Sequence, residues 1–253
     1  MIARRVRLVS SVAAVVLATA CTNSFEIPIE TPIRPKLDVG AFQRVLVAGF
    51  IAGGSEDVDG NLETTRLLRS QLRSKSELRV IDSDVLPLMD VATEGRNADS
   101  GGAQAAAPAP IKEQKDLEAY EHVFANVEYW KRIGEEYQQP LIVTGTVMFT
   151  PLQRNQIVQQ EREVYDSFGR RRVVPVRTYM ERKGFSLDGR FIFIDGRSGA
   201  TLHSESFGEQ ILYNANQTTP ALSSYFELMD RLIPSFLSTL SSQKIKGTRI
   251  LLQ

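Results

Sequence analysis

The feature that most constrains this chain is its N-terminal segment, which ends at the only cysteine among 253 residues. Three arginines in MIARRVR precede an uncharged run from Leu8 to Ala20, which leads directly into Cys21. A basic start, a short apolar run and small residues before a cleavage point are typical of a secretory signal peptide, here residues 1–20. The run is too short to span a bilayer, which takes about 20 apolar residues. The mature chain therefore folds without an internal disulfide, and its stability must come from hydrophobic packing.

The residues that end at Cys21 resemble the lipobox of bacterial lipoproteins. The matching stretch is LATAC, residues 17–21, although leucine is usual at the position of Ala18. The resemblance implies that the thiol of Cys21 is alkylated with diacylglycerol, that cleavage follows before this residue, and that its new amine is acylated. Alkylation also removes an unpaired thiol from an oxidising compartment. The alternative is an ordinary signal peptide with a cysteine nearby.

Two further features of the sequence bear on where the protein is located and what it binds. They are the residue after the cysteine and the net charge. Thr22 stands where an aspartate usually retains such lipoproteins in the inner membrane, so the resemblance implies the outer membrane, facing the periplasm. The full chain has 30 basic and 30 acidic residues, and loss of three arginines with the signal leaves a net charge of about −3. An acidic balance argues against nucleic-acid binding. The expected partners are the membrane, through the lipid on Cys21, and an envelope protein, while homo-oligomerisation stays open.

Composition divides the mature chain into segments. Three prolines in residues 21–40 predict a flexible tether that begins at the lipidated cysteine. Residues 41–243 carry the periodic patterns of a single α/β domain, and residues 244–253 form a C-terminal tail. Within the domain, residues 92–110 are small, polar and proline-bearing, which predicts a disordered insertion.

Hydrophobic periodicity predicts a mixed β-sheet with helices packed on it and a long β-hairpin, an α/β (α+β) fold. Strands are expected at 44–53, 77–83 and 140–150, helices at 61–75, 112–138 and 219–240, and hairpins over 152–183 and around a turn at 195–199. Asn61 and Thr219 are predicted to cap the first and last helix. The strand–helix–strand order of residues 44–83 predicts a parallel pair of strands.

Two stretches carry a resemblance to a known superfamily. PLIVTGTV (140–147) and RFIFIDGRSGATL (190–202) resemble a strand and a hairpin of the periplasmic α/β lipoproteins related to CsgG, the curli-secretion lipoprotein, and of the TolB N-terminal domain. The likeness covers most of residues 44–240, and its motifs are loose fold signatures without catalytic content. It implies a CsgG/TolB-N-like fold.

The same resemblance raises the question of a channel, because CsgG forms an outer-membrane pore to which each copy contributes long hairpins. In residues 152–183 both faces of the predicted hairpin carry charged side chains. A charge that faces lipid costs about 2–4 kcal/mol near the bilayer midplane. We therefore expect a soluble, extended hairpin.

Acidic and amide side chains follow the first predicted strand. They occupy every second position, as the oxygen ligands do at the start of a calcium-binding loop. These residues are Asp57, Asp59, Asn61 and Glu63. Leucine stands at the later positions where such a loop needs glycine and glutamate. The GFIAGGS stretch before them lacks the lysine of a phosphate-binding loop. We interpret the segment as an acidic loop that favours the N-terminus of the next helix.

The two histidines lack the neighbours that catalysis or metal binding needs. His122 follows Glu118 by four residues on one helix face, and two ligands do not make a zinc site. His203 and Ser204 are adjacent on a predicted strand and point to opposite faces, so with Asp195 they supply the residue types of a triad without its geometry. We expect no catalytic residue, no metal and no cofactor, and hence no enzyme.

Three consecutive arginines occupy the predicted tip of the long hairpin. Arg170, Arg171 and Arg172 can bind the phosphate groups of lipopolysaccharide or an acidic partner, and the alternative is a solvated turn. Together these features predict a membrane-anchored periplasmic lipoprotein. It would act as a non-enzymatic structural or interaction component of cell-envelope assembly or transport. The alternative is an oligomeric CsgG-type component of an outer-membrane secretion channel.

Overall fold

The computed structural model describes residues 24–75, 77–99, 110–165, 167–214, 217 and 219–252. These residues form two units, the larger of which is Lys36–Ser241. The smaller unit comprises the described residues before Lys36 and after Ser241. The signal segment and Cys21 lie outside the described residues, so their assignment stays a prediction.

The described part of the chain forms seven strands and six helices. The strands are β1 (Ser24–Ile33), β2 (Arg44–Gly54), β3 (Arg79–Val80), β4 (Leu141–Tyr165), β5 (Arg171–Asp195), β6 (Thr201–Asn214) and β7 (Gln243–Leu252). The helices are α1 (Gly60–Lys75), α2 (Leu88–Asp99), α3 (Gln114–Glu118), α4 (Glu121–Ala125), α5 (Val127–Glu136) and α6 (Ala221–Leu240).

The larger unit is built on one mixed sheet. Its strand order is β3-β2-β4-β5-β6, with β2 parallel to β3 and β4, and with β5 antiparallel to both β4 and β6. The predicted parallel pair and both predicted hairpins are confirmed. The α/β (α+β) fold class with a mixed sheet and a long hairpin is therefore correct.

Strand β2 and the first part of β4, residues 141–149, are buried on both faces of the sheet. Alternate residues of β2 contact different cores, since Val45 and Val47 belong to one hydrophobic cluster and Leu46 and Ala48 to another. Helices α1 and α6 complete the first cluster, and residues of α2 to α5 complete the second. Because both faces are covered, these strands form continuous apolar runs in the sequence without polar alternation.

The segment predicted as one helix over 112–138 forms three short helices, α3, α4 and α5. The side-chain oxygen of Asn126 accepts a hydrogen bond of 3.1 Å from the backbone N–H of Tyr129 and so caps α5. An asparagine side chain competes with the helical backbone in this way and interrupts a longer helix. Most apolar residues of this segment still lie in the core, where Val123 and Trp130 are buried, whereas Val127 is exposed.

Part of the predicted disordered insertion is helical. Helix α2 extends to Asp99, so the prediction is wrong for residues 92–99, while residues 100–109 lie outside the described part of the chain. Ala92 is fully buried, and its carbonyl oxygen lies 3.2 Å from Nε2 of His122. Tertiary packing of this kind overrides the weak local preference of small and polar residues.

The predicted helix caps are displaced by one or two residues. Asp59 caps α1, and its Oδ1 accepts a hydrogen bond of 3.0 Å from a backbone N–H of the first turn. Asn61 lies inside that turn, and its Oδ1 accepts a hydrogen bond of 2.7 Å from the N–H of Phe50 in β2. The N-cap of α6 is Pro220, one residue after Thr219.

The smaller unit overturns the prediction of a flexible tether and a C-terminal tail. Strands β1 and β7 pair antiparallel over their whole length, as a two-stranded sheet. The backbone N–H of Leu37 donates a hydrogen bond of 2.9 Å to the carbonyl of Thr239. The chain therefore enters and leaves the larger unit at one place. This proximity brings together two segments that lie at opposite ends of the sequence.

Glu205 of β6 reinforces this junction. Its carboxylate accepts hydrogen bonds from Lys36, from Oγ1 of Thr239 at 3.1 Å and from Nε2 of His203 at 3.3 Å. Burial raises the pKa of Glu205, but these hydrogen bonds and the charge of Lys36 outweigh it and hold the pKa below its usual value. The ionised carboxylate therefore stabilises the fold above the pKa of the unfolded chain, and this stabilisation is lost as the pH falls through the folded-state pKa.

Replacing Glu205 by glutamine should lower the free energy of unfolding by about 1 kcal/mol near pH 7. The deficit should shrink as the pH falls below the ordinary carboxylate pKa and through the lower folded-state pKa, because the wild-type carboxylate then becomes protonated as well. Urea denaturation across this pH range measures both effects. Glu209→Gln is the control, since Glu209 lies on the same strand and has no hydrogen-bond partner among the described residues. A deficit that stays constant down to about pH 3 would contradict the assignment.

A close approach of helix α5 to the β5–β6 turn depends on one glycine. A Cβ atom added at Gly134 would lie 1.8 Å from the carbonyl oxygen of Gly196. Replacing Gly134 by alanine should therefore cost about 2 kcal/mol of stability, although alanine favours a helix elsewhere. Thermal unfolding measures this loss. Gly247→Ala, where an added Cβ meets no atom within 4 Å, should show no comparable loss.

Candidate interaction surface

The long hairpin extends beyond the sheet that anchors it. Strands β4 and β5 pair from Leu141↔Asp195 to Tyr165↔Arg171. Strand β2 accompanies β4 only as far as Phe149, and β6 accompanies β5 only from Arg182. We call residues 152–165 and 171–181, with the turn between them, the arm. From residue 155 onward its strands pair only with each other, and the arm reaches about 45 Å at ~3.3 Å per residue.

Four exposed apolar side chains lie on one face of the arm. Tyr179 stands opposite Ile157 in the ladder, and alternation places Tyr165 and Val173 on the same face. Their exposed fractions are 63%, 68%, 67% and 53%, respectively. We call these four residues the tyrosine face. In the turn, Phe168 is 80% exposed. The tip and the tyrosine face thus present aromatic and aliphatic groups to solvent, while the opposite face exposes the smaller side chains of Val164 and Val174.

The three arginines at the tip do not converge on one side. Arg171 forms an ion pair with Glu163 on the tyrosine face, and Arg172, one residue further, falls on the opposite face. The guanidinium of Arg170 lies 5.4 Å from the ring centroid of Phe168 in the turn. All three arginines are exposed. Their role in binding phosphate groups or an acidic partner stays a prediction.

A cavity of about 510 Å³ lies at the base of the arm. Residues of β4, β5, β6 and the segment before α6 line it, among them Pro151, Leu152, Lys183, Phe185, Tyr213 and Thr219. Phe185 is fixed there by stacking on Phe149, with ring centroids 4.8 Å apart. The hydroxyl of Tyr213 donates a hydrogen bond of 3.2 Å to Glu227 of α6. The cavity offers a concave contact beside the arm.

The residues considered for catalysis hold structural contacts instead. Asp195 accepts hydrogen bonds from the N–H of Arg197 and the hydroxyl of Ser198, which closes the β5–β6 turn. Ser204 accepts a hydrogen bond of 3.1 Å from Nε of Arg190, while the neighbouring His203 contacts Glu205. His203 and Ser204 therefore have different partners, and the structure does not join Asp195 to them in a triad.

The metal-ligand candidates hold structural contacts too. The ring nitrogens of His122 lie near the carbonyl oxygens of Ala119 and Ala92, at 3.0 and 3.2 Å. Asp59 and Asn61 of the acidic loop are used in capping α1 and tying it to β2. Within the described ranges, no three His, Cys, Asp or Glu residues are grouped so that they could hold a metal ion. In the same ranges, every helix is too short or too polar to cross a bilayer.

The chain matches no protein-family model, and no curated protein matches its sequence. Among solved structures, lipoprotein GNA1162 from Neisseria meningitidis is similar at 13% identity, over 77% of this chain and 97% of that one, with a TM-score of 0.34. A variant PelC dodecamer from Paraburkholderia phytofirmans is similar at 13% identity, over 87% and 97% of the two chains, with a TM-score of 0.35. The hypothetical protein CT253 from Chlamydia trachomatis is similar at 11% identity, over 79% of this chain and 97% of that one, with a TM-score of 0.34. Scores of this size do not establish a shared fold, so the CsgG/TolB-N likeness stays a prediction.

Shortening the arm tests whether it is dispensable for folding. Residues 155–181 would be replaced by Asn-Gly, which joins the paired residues Arg154 and Arg182 through a two-residue turn. We expect the melting temperature of the mature chain to change by less than about 4 °C, because the removed residues lie outside both core clusters. A collapse of the cooperative transition would instead show that the arm stabilises the domain.

Proposed function

We propose that this protein is a lipid-anchored periplasmic lipoprotein of the outer membrane. It acts as a non-enzymatic structural or interaction component of cell-envelope assembly or transport, and the arm is its docking element for a protein partner. Support for the anchor comes from the signal-like segment, from the LATAC stretch and from Thr22 after Cys21. Support for the docking role comes from the arm.

The observation that carries the proposal is the exposure of the arm. A two-stranded ladder with solvent on both faces is at best marginally stable alone. Here its tyrosine face also exposes Ile157 and Tyr179 in one cross-strand pair. Tyrosine and other aromatic residues are enriched in the cores of protein interfaces because they bury a large area with little conformational freedom to lose. A partner that covers this face would remove that apolar area from water.

The tip can add specificity to such an interface. Arg170 and Arg172 are exposed, and Arg171 is already paired with Glu163. Exposed charges at the rim of an interface mainly steer association and select partners of opposite charge. We therefore expect the partner to carry carboxylate or phosphate groups near the tip and an apolar patch along the tyrosine face.

The absence of an enzymatic role is part of the proposal. A nucleophile must lie within hydrogen-bond reach of its base. His203 and Ser204 have different partners, Glu205 and Arg190 respectively. These contacts explain the residues as structural groups of β6 and its neighbours.

The alternative is a channel component assembled from several copies. It is favoured by the two edges of the arm, which pair with no further strand among the described residues and so offer backbone groups for lateral pairing. Pro175 weakens this alternative. Proline is tolerated in a strand where its nitrogen faces an unpaired edge, so it removes one donor from the outer edge of β5. Docking through the face of the arm does not depend on backbone donors at its edge, so Pro175 does not weaken it.

Site-specific crosslinking in the native membrane tests the docking role. A photoreactive phenylalanine at Tyr179 should crosslink to a distinct envelope protein, because this position lies on the tyrosine face. The same residue at Leu222, which is 44% exposed in α6, is the matched control and should give no such product. Mass spectrometry identifies the product.

The outcomes separate the two candidate functions. A product with a second protein from position 179 alone supports docking. Crosslinks between copies from position 179, together with a large homo-oligomer in mild detergent, would favour the channel. If position 179 gives no more product than position 222, the arm is not an interaction surface in the cell.

A further inference from the structure

The two-stranded sheet of β1 and β7 has two faces of different character. Alternation places Ile27, Ile29 and Ile33 of β1 on one face, and each is at least 40% exposed. The other face carries Glu26 and Glu30 together with the prolines of the strand. Strand β1 is therefore amphipathic, and its residues 26–33 are exposed on both faces.

Two of the three basic side chains of β7 lie on the polar face. Lys244 lies 3.2 Å and Lys246 3.8 Å from the carboxylate of Glu30, across the polar face. Arg249 is the ladder partner of Ile27 and so falls on the isoleucine face. It has no ion-pair partner within the described ranges. The polar face thus neutralises its own charges, while the apolar face carries one unpaired cation.

We propose that the isoleucine face of the β1–β7 sheet lies on the membrane surface, with Arg249 at the level of the lipid phosphates. The inference rests on the proposed acylation of Cys21. Ser24 follows Cys21 by three residues, and an extended chain of that length spans at most about 11 Å. The sheet therefore begins within a headgroup thickness of the anchor.

The anchor makes a weak surface contact effective. Tethering turns the association of the sheet with the bilayer into an intramolecular step, so affinity need not come from the sheet alone. Three isoleucines in a row of about 20 Å match the interfacial layer, where apolar side chains enter the acyl boundary while charged groups stay in water. The guanidinium of Arg249 can then pair with a lipid phosphate. The lysines of the polar face are less suited to this, because they already pair with Glu30.

Depth-dependent fluorescence quenching tests the inference. Ile29→Cys is produced in the acylated protein, where the introduced thiol is the only free one because the lipid occupies Cys21. It is labelled with bimane and reconstituted in vesicles of phosphatidylethanolamine and phosphatidylglycerol with brominated acyl chains. Glu26→Cys is the matched control, since it lies on the polar face and nearer to the anchor. Proximity to the anchor alone would therefore quench the control more.

The expected result is a several-fold larger quenching of the label at position 29 than at position 26. Intact mass of the same sample reports acylation. Equal quenching at both positions in an acylated protein would overturn the membrane contact and leave the anchor intact. An unacylated Cys21 would overturn the anchor and with it the membrane contact. Quenching at position 29 that disappears as the protein density in the vesicles rises would also overturn the inference, because a second copy would then cover the face.

Discussion

The antiparallel ladder between β4 and β5 is the interaction on which the rest of the structure depends. Its first part lies at the centre of the sheet, where Val143 and Phe193 are register partners and both are fully buried. Its second part leaves the sheet without a break and becomes the arm. Because one ladder runs through both parts, the packed core sets the register and direction of a hairpin that buries little by itself.

The junction where the chain enters and leaves the larger unit is the second constraint. Lys36, Leu37, Glu205 and Thr239 meet there through hydrogen bonds. The junction holds together two segments more than 200 residues apart in sequence. Closing so long a loop costs conformational entropy, and the packing of the whole domain offsets this cost. The pairing of β1 with β7 follows from this meeting, and it changes the linker from a spacer into a folded element close to the proposed anchor.

Much of the larger unit was predictable because its strands and helices carry their own patterns. The apolar run of β2, the turn at residues 195–199 and the stripe of α6 each fixed an element locally. Errors arose where a single polar side chain decided the outcome, as Asn126 did by starting a new helix. The candidate site was predicted only in part. The hairpin was expected, but the tyrosine face was not, since assigning Tyr179 and Ile157 to one face requires the register of the pairing.

By itself the sequence determined the fold class, the mixed sheet and the long hairpin, because these follow from local periodicity and turn chemistry. The prediction of a lipid anchor also comes from the sequence alone, since the signal-like segment and Cys21 are contiguous. Tertiary structure alone decided that β2 lies beside β4, where the arm leaves the sheet, and that β1 and β7 pair. These features depend on contacts between distant residues, whose free energy arises from burial and loop closure in the folded chain and leaves no periodic trace in the sequence.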